Sequence, residues 1–301
     1  MYITVAEAAQ KWNISEQLIR RYLRQNRIPD AVRDGHTWRI PINAENPSNA
    51  NVRKNMLPPL AAKLVKQRNK RVRNGIYAYV QINLTYSNNR MASNRLERQQ
   101  VEDLFRKDKI ATAFEPLKYA DIIEAVNHFI AVDFMLDNVN SKLTQTFIKK
   151  LHYLLKYASY EDRKQLEVPG EYRPRKKTPK SFPVTPAEKI TEEMNALLSR
   201  YEALPSVTLD ELLDFHVKFE KIHPFADANG RVGRLIMFKE CLRRDITPFI
   251  LDDKRRTGYL KGIREWEEND TALQVVCREA QERFARQLEL QGLLETQTYF
   301  R

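Results

Sequence analysis

The sequence predicts a mainly α-helical protein, on three observations. Only 8 glycines and 14 prolines are spread over 301 residues, few for a turn-rich β protein. Long stretches are built from Leu, Glu, Lys and Arg, which lose little rotamer freedom in a helix. Apolar residues recur three and four apart in one segment after another, the spacing of a helix with one buried face. The length suits about two domains, and 42% hydrophobic residues are enough for a sizeable core. Charged residues make up 30% and the mean hydropathy is −0.60, as expected of a soluble globular chain. No run approaches the ~20 apolar residues of a membrane span. The start Met1-Tyr2-Ile3-Thr4-Val5 lacks the basic-then-apolar pattern of a secretory signal. The expectation is a cytoplasmic protein with no membrane partner. Cys241 and Cys277 are too few for a disulfide framework or a cysteine-built zinc site. The net charge of +12 and pI of about 9.6 imply an anionic partner: nucleic acid, nucleotide or an acidic protein.

Residues 1–45 read as a small module. Val5, Ala8 and Ala9 share a helical face, and Asn13-Ile14-Ser15 breaks it. Ser15 then N-caps a second helix carrying Leu18, Ile19, Tyr22 and Leu23. Arg27-Ile28-Pro29 ends that helix, since the residue before a proline avoids helical geometry. Arg33 to Pro41 reads as a hairpin turning at Asp34-Gly35. Residues 46–74 change character. Asn46, Pro47, Asn49, Asn51 and Pro58-Pro59 have the composition of a linker. Lys63, Lys66, Arg68, Lys70, Arg71 and Arg73 follow with no acidic residue between them, and their uneven spacing favours a solvated helix face over a nucleic-acid patch.

Residues 75–290 are a succession of helices. Val101, Leu104 and Phe105 mark one, Ile122, Ile123, Val126, Phe129 and Ile130 another, and Phe147, Ile148, Leu151, Leu154 and Leu155 a third. Thr185-Pro186-Ala187-Glu188 and Thr208-Leu209-Asp210-Glu211 have the form of capping boxes, the first with proline at the first helical position. They open helices carrying Ile190, Met194, Leu197 and Tyr201, and then Leu212, Leu213, Val217 and Phe219. Residues 291–301 are a tail.

The chemistry concentrates in His223-Pro224-Phe225-Ala226-Asp227-Ala228-Asn229-Gly230-Arg231-Val232-Gly233-Arg234, followed by an apolar helix. A tight loop feeding a helix start offers unpaired N–H groups that, with the helix dipole, hold anions. Asn229-Gly230 is expected to supply the tight backbone conformation. Arg231 and Arg234, three apart, are expected to project from one face toward the same anion. Asp227 is a hard oxygen ligand suited to Mg²⁺ bridging phosphates, and His223 can take a proton from an incoming hydroxyl. Together they form a constellation for phosphoryl or nucleotidyl transfer. A histidine by itself is more often structural, and His36, His128, His152 and His216 are read so.

The twelve residues resemble the Fic family motif His-x-Phe-x-Asp/Glu-Gly-Asn-Gly-Arg-x-x-Arg, with Ala228 standing where glycine is usual. The resemblance extends over about residues 75–290, including Pro169-Gly170-Glu171-Tyr172-Arg173 before the motif and Asp252 to Tyr259 after it. It implies an all-helical Fic core with a small β-hairpin flap, transferring AMP from ATP to a protein Ser, Thr or Tyr hydroxyl, the chain itself included among the targets. In that resemblance His223 is the base, Asp227 the Mg²⁺ ligand and Phe225 a core anchor for the loop. The backbone of Ala228, Asn229 and Gly230 with Arg231 takes the α- and β-phosphates, and Arg234 the γ-phosphate. Val232 and Gly233 complete the ATP-binding stretch, and Tyr259 stands on the adenine side, with Glu267 where an asparagine is usual. The flap, with Lys177, Thr178, Pro179 and Lys180, docks the target as an added strand.

Relatives carry an inhibitory helix of the form Ser/Thr-x-x-x-Glu-Gly/Asn. The matching stretch runs from Ser87 to Leu96, and its register puts Ala92 at the glutamate position and Asn88 at the Ser/Thr position. A competing register through Glu97 places Arg98 where a small residue belongs, so Ala92 is preferred. Residues 3–41 resemble the winged helix-turn-helix of excisionase and MerR-type proteins through Ala6-x-Ala8-Ala9, Ile19-Arg20-Arg21-Tyr22 and Trp38-Arg39-Ile40-Pro41. That resemblance implies DNA contacts from Gln17, Arg20, Arg21 and Arg24, with protein docking as the alternative. Other readings of the whole chain are transfer of another phosphate-containing group, removal of AMP, or a nucleotide-sensing transcription regulator.

Overall fold

The computed structural model describes residues 2–25, 27–35, 37–47, 56–110, 116–164, 168–174 and 183–293. The chain divides into two compact units, Met1–Met56 and Leu57–Arg301.

In the first unit Thr4 and Glu7 cap α1 (Val5–Trp12) reciprocally. The Glu7 N–H donates to Thr4 Oγ1 at 3.2 Å and the Thr4 N–H to Glu7 Oε2 at 2.7 Å. Asn13 stops the helix in the left-handed region, φ 51°, which asparagine tolerates. Ser15 caps α2 (Glu16–Arg24) as expected, accepting from the Leu18 N–H at 3.3 Å. The helix stops before Pro29 requires it, because the Gln25 and Arg27 N–H groups both turn back to the Tyr22 carbonyl. β1 (Tyr2–Ile3), β2 (Val32–Asp34) and β3 (Thr37–Pro41) form an antiparallel sheet in the order β1-β3-β2. β1 is too short to show a period of two in the sequence, and its pairing of Tyr2 with Pro41 and Ile3 with Ile40 defines it. Val5, Ala8, Ile19, Tyr22, Leu23, Ile28 and Ile40 fill the core between these elements, with Trp38 packed against it.

The second unit is helical throughout its described residues. It holds α3 (Pro59–Asn69), α4 (Ile76–Arg90), α5 (Arg98–Lys107), α6 (Tyr119–Asp137), α7 (Gln145–Lys156) and the single turn α8 (Tyr160–Arg163). Then come α9 (Ile190–Glu202), α10 (Leu209–Ile222), α11 (Asn229–Arg243), α12 (Arg256–Glu265) and α13 (Thr271–Leu290). α11 is buried on nearly every side and touches α3, α4, α6, α7 and α10, so it is the axis of the unit. α3 buries Ala61 and Leu64 in that core, and its Arg68 ion-pairs with Asp133 at 3.8 Å and with Asp137. Lys63, Lys66, Lys70, Arg71 and Arg73 remain exposed. The Thr208 capping box forms as expected on α10. The one expected at Thr185 does not. Its N–H donates to the Lys221 carbonyl at 3.3 Å and its carbonyl accepts from the Arg173 guanidinium, so α9 starts later, behind a short 3-10 turn at Ala187–Lys189. No helix among the described residues is long and apolar enough to cross a membrane.

Two glycines set how closely helices cross. A Cβ on Gly233 of α11 would lie 2.7 Å from the His216 ring of α10. A Cβ on Gly262 of α12 would lie 2.8 Å from the Leu273 backbone of α13, which cannot swing aside. Gly262→Ala is therefore expected to destabilise the protein by about 1–3 kcal/mol through overpacking. Its urea midpoint, measured beside the wild type, checks this, and an unchanged midpoint would show that the two helices can separate freely.

Candidate active site

The centre of the second unit is the turn from His223 to Ala228 between α10 and α11. α10 ends because His223 takes the left-handed conformation, φ 52°, with its N–H still donating to the Phe219 carbonyl at 3.0 Å. Phe225 is fully buried and stacks on the His152 ring at 3.9 Å between centroids. The buried Asn229 side chain closes the turn from both directions. It accepts from the Phe225 N–H and donates to the Phe225 carbonyl, each at 2.8 Å. Ala228 then enters α11 with φ 60°. The tight conformation thus falls on His223 and Ala228, and the expectation that Asn229-Gly230 supplies it is corrected: both residues are already helical. A left-handed residue with a Cβ costs roughly 1–2 kcal/mol, so the surrounding structure must hold each in place. Arg173 does part of this. Its guanidinium donates to the carbonyls of His223 (2.7 Å) and Ile222 (3.4 Å), which are orphaned at the C-terminus of α10.

Beside this turn lies a cavity of about 270 Å³. His223, Asp227, Ala228, Asn229 and Gly230 border it from the turn, and Arg231 and Arg234 from the first turns of α11. Tyr259 of α12 borders it from the far side, and Ala92, just beyond α4, stands exposed at its edge. Val232 and Gly233 are not among its lining residues. Val232 is buried in the core, its N–H spent on the Ala228 carbonyl at 2.9 Å, and Gly233 faces His216. Glu267 lies at the surface, bound to Lys221 at 2.7 Å. Lys177, Thr178, Pro179 and Lys180 lie outside the described residues.

The two motif arginines border the same cavity, and their guanidinium groups are held by different partners. Arg231 is buried and pairs with Glu124 at 2.9 Å and Asp227 at 3.0 Å. Arg234 donates from Nε to the Asn88 side-chain oxygen at 2.5 Å and from Nη2 to the Asn88 carbonyl at 3.3 Å. Asp227 also takes the ammonium of the buried Lys156 at 2.9 Å. Burial opposes the ionisation of Asp227, yet Arg231 and Lys156 hold its carboxyl well below the usual range. It is therefore a carboxylate at any ordinary pH. Among the described residues no three His, Cys, Asp or Glu side chains come together to hold a metal ion unaided. The permanently ionised Asp227, nearly half exposed and bordering the cavity, fits a Mg²⁺ whose other ligands are phosphates and water.

Residues 142–241 match the Fic/DOC family. The match contains α7, the His223–Ala228 turn and most of α11. A probable protein adenylyltransferase of Aquifex aeolicus (strain VF5) is 33% identical over 86 residues, which is 29% of this chain. The chain spans only about a quarter of that curated relative, 25% of its length. Among solved structures, a Fic domain containing signaling protein from Bacteroides thetaiotaomicron superposes with a TM-score of 0.60 at 17% identity, over 81% of this chain and 93% of that one. Fic-1 of C. elegans gives 0.59 at 16% identity, over 81% and 74%. At such identities the likeness is one of fold, and the mainly helical fold of this chain is that of these Fic proteins.

Several residues of the Fic-like core that shape the cavity went unread in the sequence. Lys156 is the clearest. It sits on the face of α7 that buries Ile148, Leu151, His152 and Leu155, and a lysine in that register signals a buried partner. Glu124 carries no such signal, since Arg231 is more than a hundred residues away in the chain, and the sequence places Asn88 in the inhibitory register without showing that it meets Arg234. Glu220, one turn before His223, borders the cavity with Oε1 lacking a hydrogen-bond partner. Burial pushes this carboxyl from 4.5 up to about 7, with the Arg234 charge opposing. As pH rises between those values, the unfolded chain loses the Glu220 proton while the folded protein keeps it, so folding stability falls with rising pH. Glu220→Gln is expected to remove that loss. The variant should match the wild type in urea at pH 4.5 and exceed it above pH 7. A gap between them that does not change with pH would mean Glu220 titrates normally.

Proposed function

We propose that the chain is a protein adenylyltransferase, moving AMP from ATP to a Ser, Thr or Tyr hydroxyl of a protein target, itself included. The observation that carries this reading is the convergence of His223, Asp227, the amides at the start of α11 and Arg234 on one cavity inside the Fic/DOC match. The name of the Aquifex relative agrees with it.

In this reading His223 takes the proton of the target hydroxyl as that oxygen attacks the α-phosphorus. The bond from phosphorus to the oxygen bridging the α- and β-phosphates breaks, and pyrophosphate leaves. The N–H groups of Ala228, Asn229 and Gly230, at the positive end of α11, hold the α- and β-phosphates together with Arg231. Arg234 takes the γ-phosphate as a charge-assisted fork. Asp227 would hold Mg²⁺, which when bound offsets phosphate charge. Tyr259 closes the adenine side, and Val232 and Gly233 support the phosphate turn from behind. Lys177, Thr178, Pro179 and Lys180 would align the target backbone as an added strand.

Ala92 stands at the inhibitory position in this reading. Its place at the cavity edge supports that register, whereas Glu97 of the competing one caps α5 and lies 3.8 Å from Arg90. Among the described residues no acidic side chain forms an ion pair with Arg234, so this reading makes the enzyme constitutively active. The first unit would serve as a DNA-binding or docking module. In favour of that stands the row of exposed side chains Gln17, Arg20, Arg21 and Arg24 on α2. Free, buried Cys241 and Cys277 accord with a reducing cytoplasm.

Incubation with α- and γ-labelled ATP tests the reaction. Protein label from the α-position is expected in the wild type, reduced at least about a hundredfold in His223→Ala. Label from the γ-position alone would mean phosphorylation, and ATP bound without any transfer would mean sensing. Ala92→Glu is expected to lower transfer by about tenfold or more through a new ion pair with Arg234. Undiminished activity in that variant would refute the Ala92 register.

A further inference from the structure

Asn88 lies in the last turn of α4, two residues before the helix ends, and is 1% exposed. Its side-chain amide is the meeting point of a buried chain of hydrogen bonds. Nδ2 faces His128 Nε2 at 2.8 Å and the Arg231 carbonyl at 3.2 Å. His128 in turn meets Thr85 Oγ1 through Nδ1 at 2.8 Å. His128 and Thr85 are both fully buried. Burial, with Arg231 and Arg234 adding to it, keeps His128 neutral. A neutral ring that accepts at Nε2 must carry its proton on Nδ1 and give it to Thr85.

This chain determines which way the Asn88 amide points. Turned over, its oxygen would face the Arg231 carbonyl oxygen and its NH₂ would face a guanidinium, two repulsive contacts in place of two hydrogen bonds. The oxygen must therefore face α11, where it accepts from Arg234 Nε at 2.5 Å while the Asn88 carbonyl accepts from Nη2 at 3.3 Å. One edge of the guanidinium is thereby gripped by two uncharged oxygens of a single residue. The Nη1 end lies over Gly230, 2.9 Å from where a Cβ would stand, at the floor of the cavity.

We propose that Asn88 is the positioning residue for Arg234: it orients the guanidinium toward the terminal phosphate of a nucleoside triphosphate while adding no negative charge of its own beside it. A carboxylate in the same place would hold the same edge but cancel the charge that binds the anion. The neutral amide, its direction fixed by the Arg231 carbonyl, gives orientation alone. This inference rests on the reading of the cavity as an ATP site.

Calorimetric titration of the full chain with ATP and with ADP, for wild type, Asn88→Asp and Asn88→Ala, tests it. Wild type is expected to bind ATP more tightly than ADP. Asn88→Asp, close in shape but charged, should weaken ATP at least about tenfold while ADP, which lacks the group that meets Arg234, changes by less than about threefold. Asn88→Ala should lose several-fold for ATP with the same sparing of ADP, and raise the KM for ATP more than it lowers kcat. Equal losses for ATP and ADP would show a merely structural role, and unchanged ATP affinity in both variants would show none. Either result overturns the proposal. A wild type that binds neither nucleotide overturns the ATP reading first, and the proposal with it.

Discussion

The pair of hydrogen bonds between the Asn229 side chain and the two ends of the Phe225 peptide is what the site depends on. It closes a six-residue turn across which the chain must leave α10 and enter α11, with no sheet or disulfide among the described residues to brace it. With the turn closed, Phe225 is driven against His152, the Ala228 backbone is forced into the left-handed region, and the amides that open α11 face one cavity. His152 is itself held from behind, accepting from the Gly170 N–H at 2.8 Å. The geometry of the cavity wall is therefore set by packing beneath the turn as much as by the residues that line it.

Around the turn the charges run in alternation, the buried Lys156 and Arg231 between the more exposed Asp227 and Glu124, with Asn94 donating to Glu124 at 3.1 Å. Buried ion pairs of this kind are a weak source of stability, since desolvation offsets most of the attraction. Their effect here is on direction. Arg231 is tied to α6 through Glu124, so the start of α11 cannot rotate without separating charges inside the protein. Asp227 is tied to α7 through Lys156, which holds its carboxylate ionised at the cavity wall. Removing either partner would leave a buried charge with one neighbour fewer, and the cavity would lose shape and charge together.

The sequence made the helical class, the Ser15 and Thr208 caps and the residues of the turn legible, because each is local: a capping oxygen and its N–H are three residues apart, and the turn is contiguous. The Thr185 box was misread for a reason equally physical. A capping motif competes with any other partner of its backbone, and there the Lys221 carbonyl of α10 and the Arg173 guanidinium claim both sides of Thr185. The spacing of three brings Arg231 and Arg234 to one cavity, yet spacing fixes only where a side chain starts. What each guanidinium meets is decided by Glu124 and Asn88, on helices far away in the chain. β1 was invisible because a two-residue strand exists only through its partner.

His223 and Ala228 bracket the turn in a conformation that side chains avoid, and neither is glycine or asparagine, the residues that adopt it with least strain. Two such residues within six would destabilise a turn left to itself. The strain persists because Arg173, Phe225 and Asn229 over-determine the backbone from three sides, through orphan carbonyls, stacking and a two-way amide. Relaxing either residue toward helix would carry the imidazole away from the cavity or turn the first α11 amides off it. Two left-handed non-glycine residues within six, both lining one cavity, are backbone strain of the kind that accompanies a pre-organised site. That coincidence is independent of any likeness to other proteins, and it is the physical reason to look for chemistry at this turn rather than elsewhere in the fold.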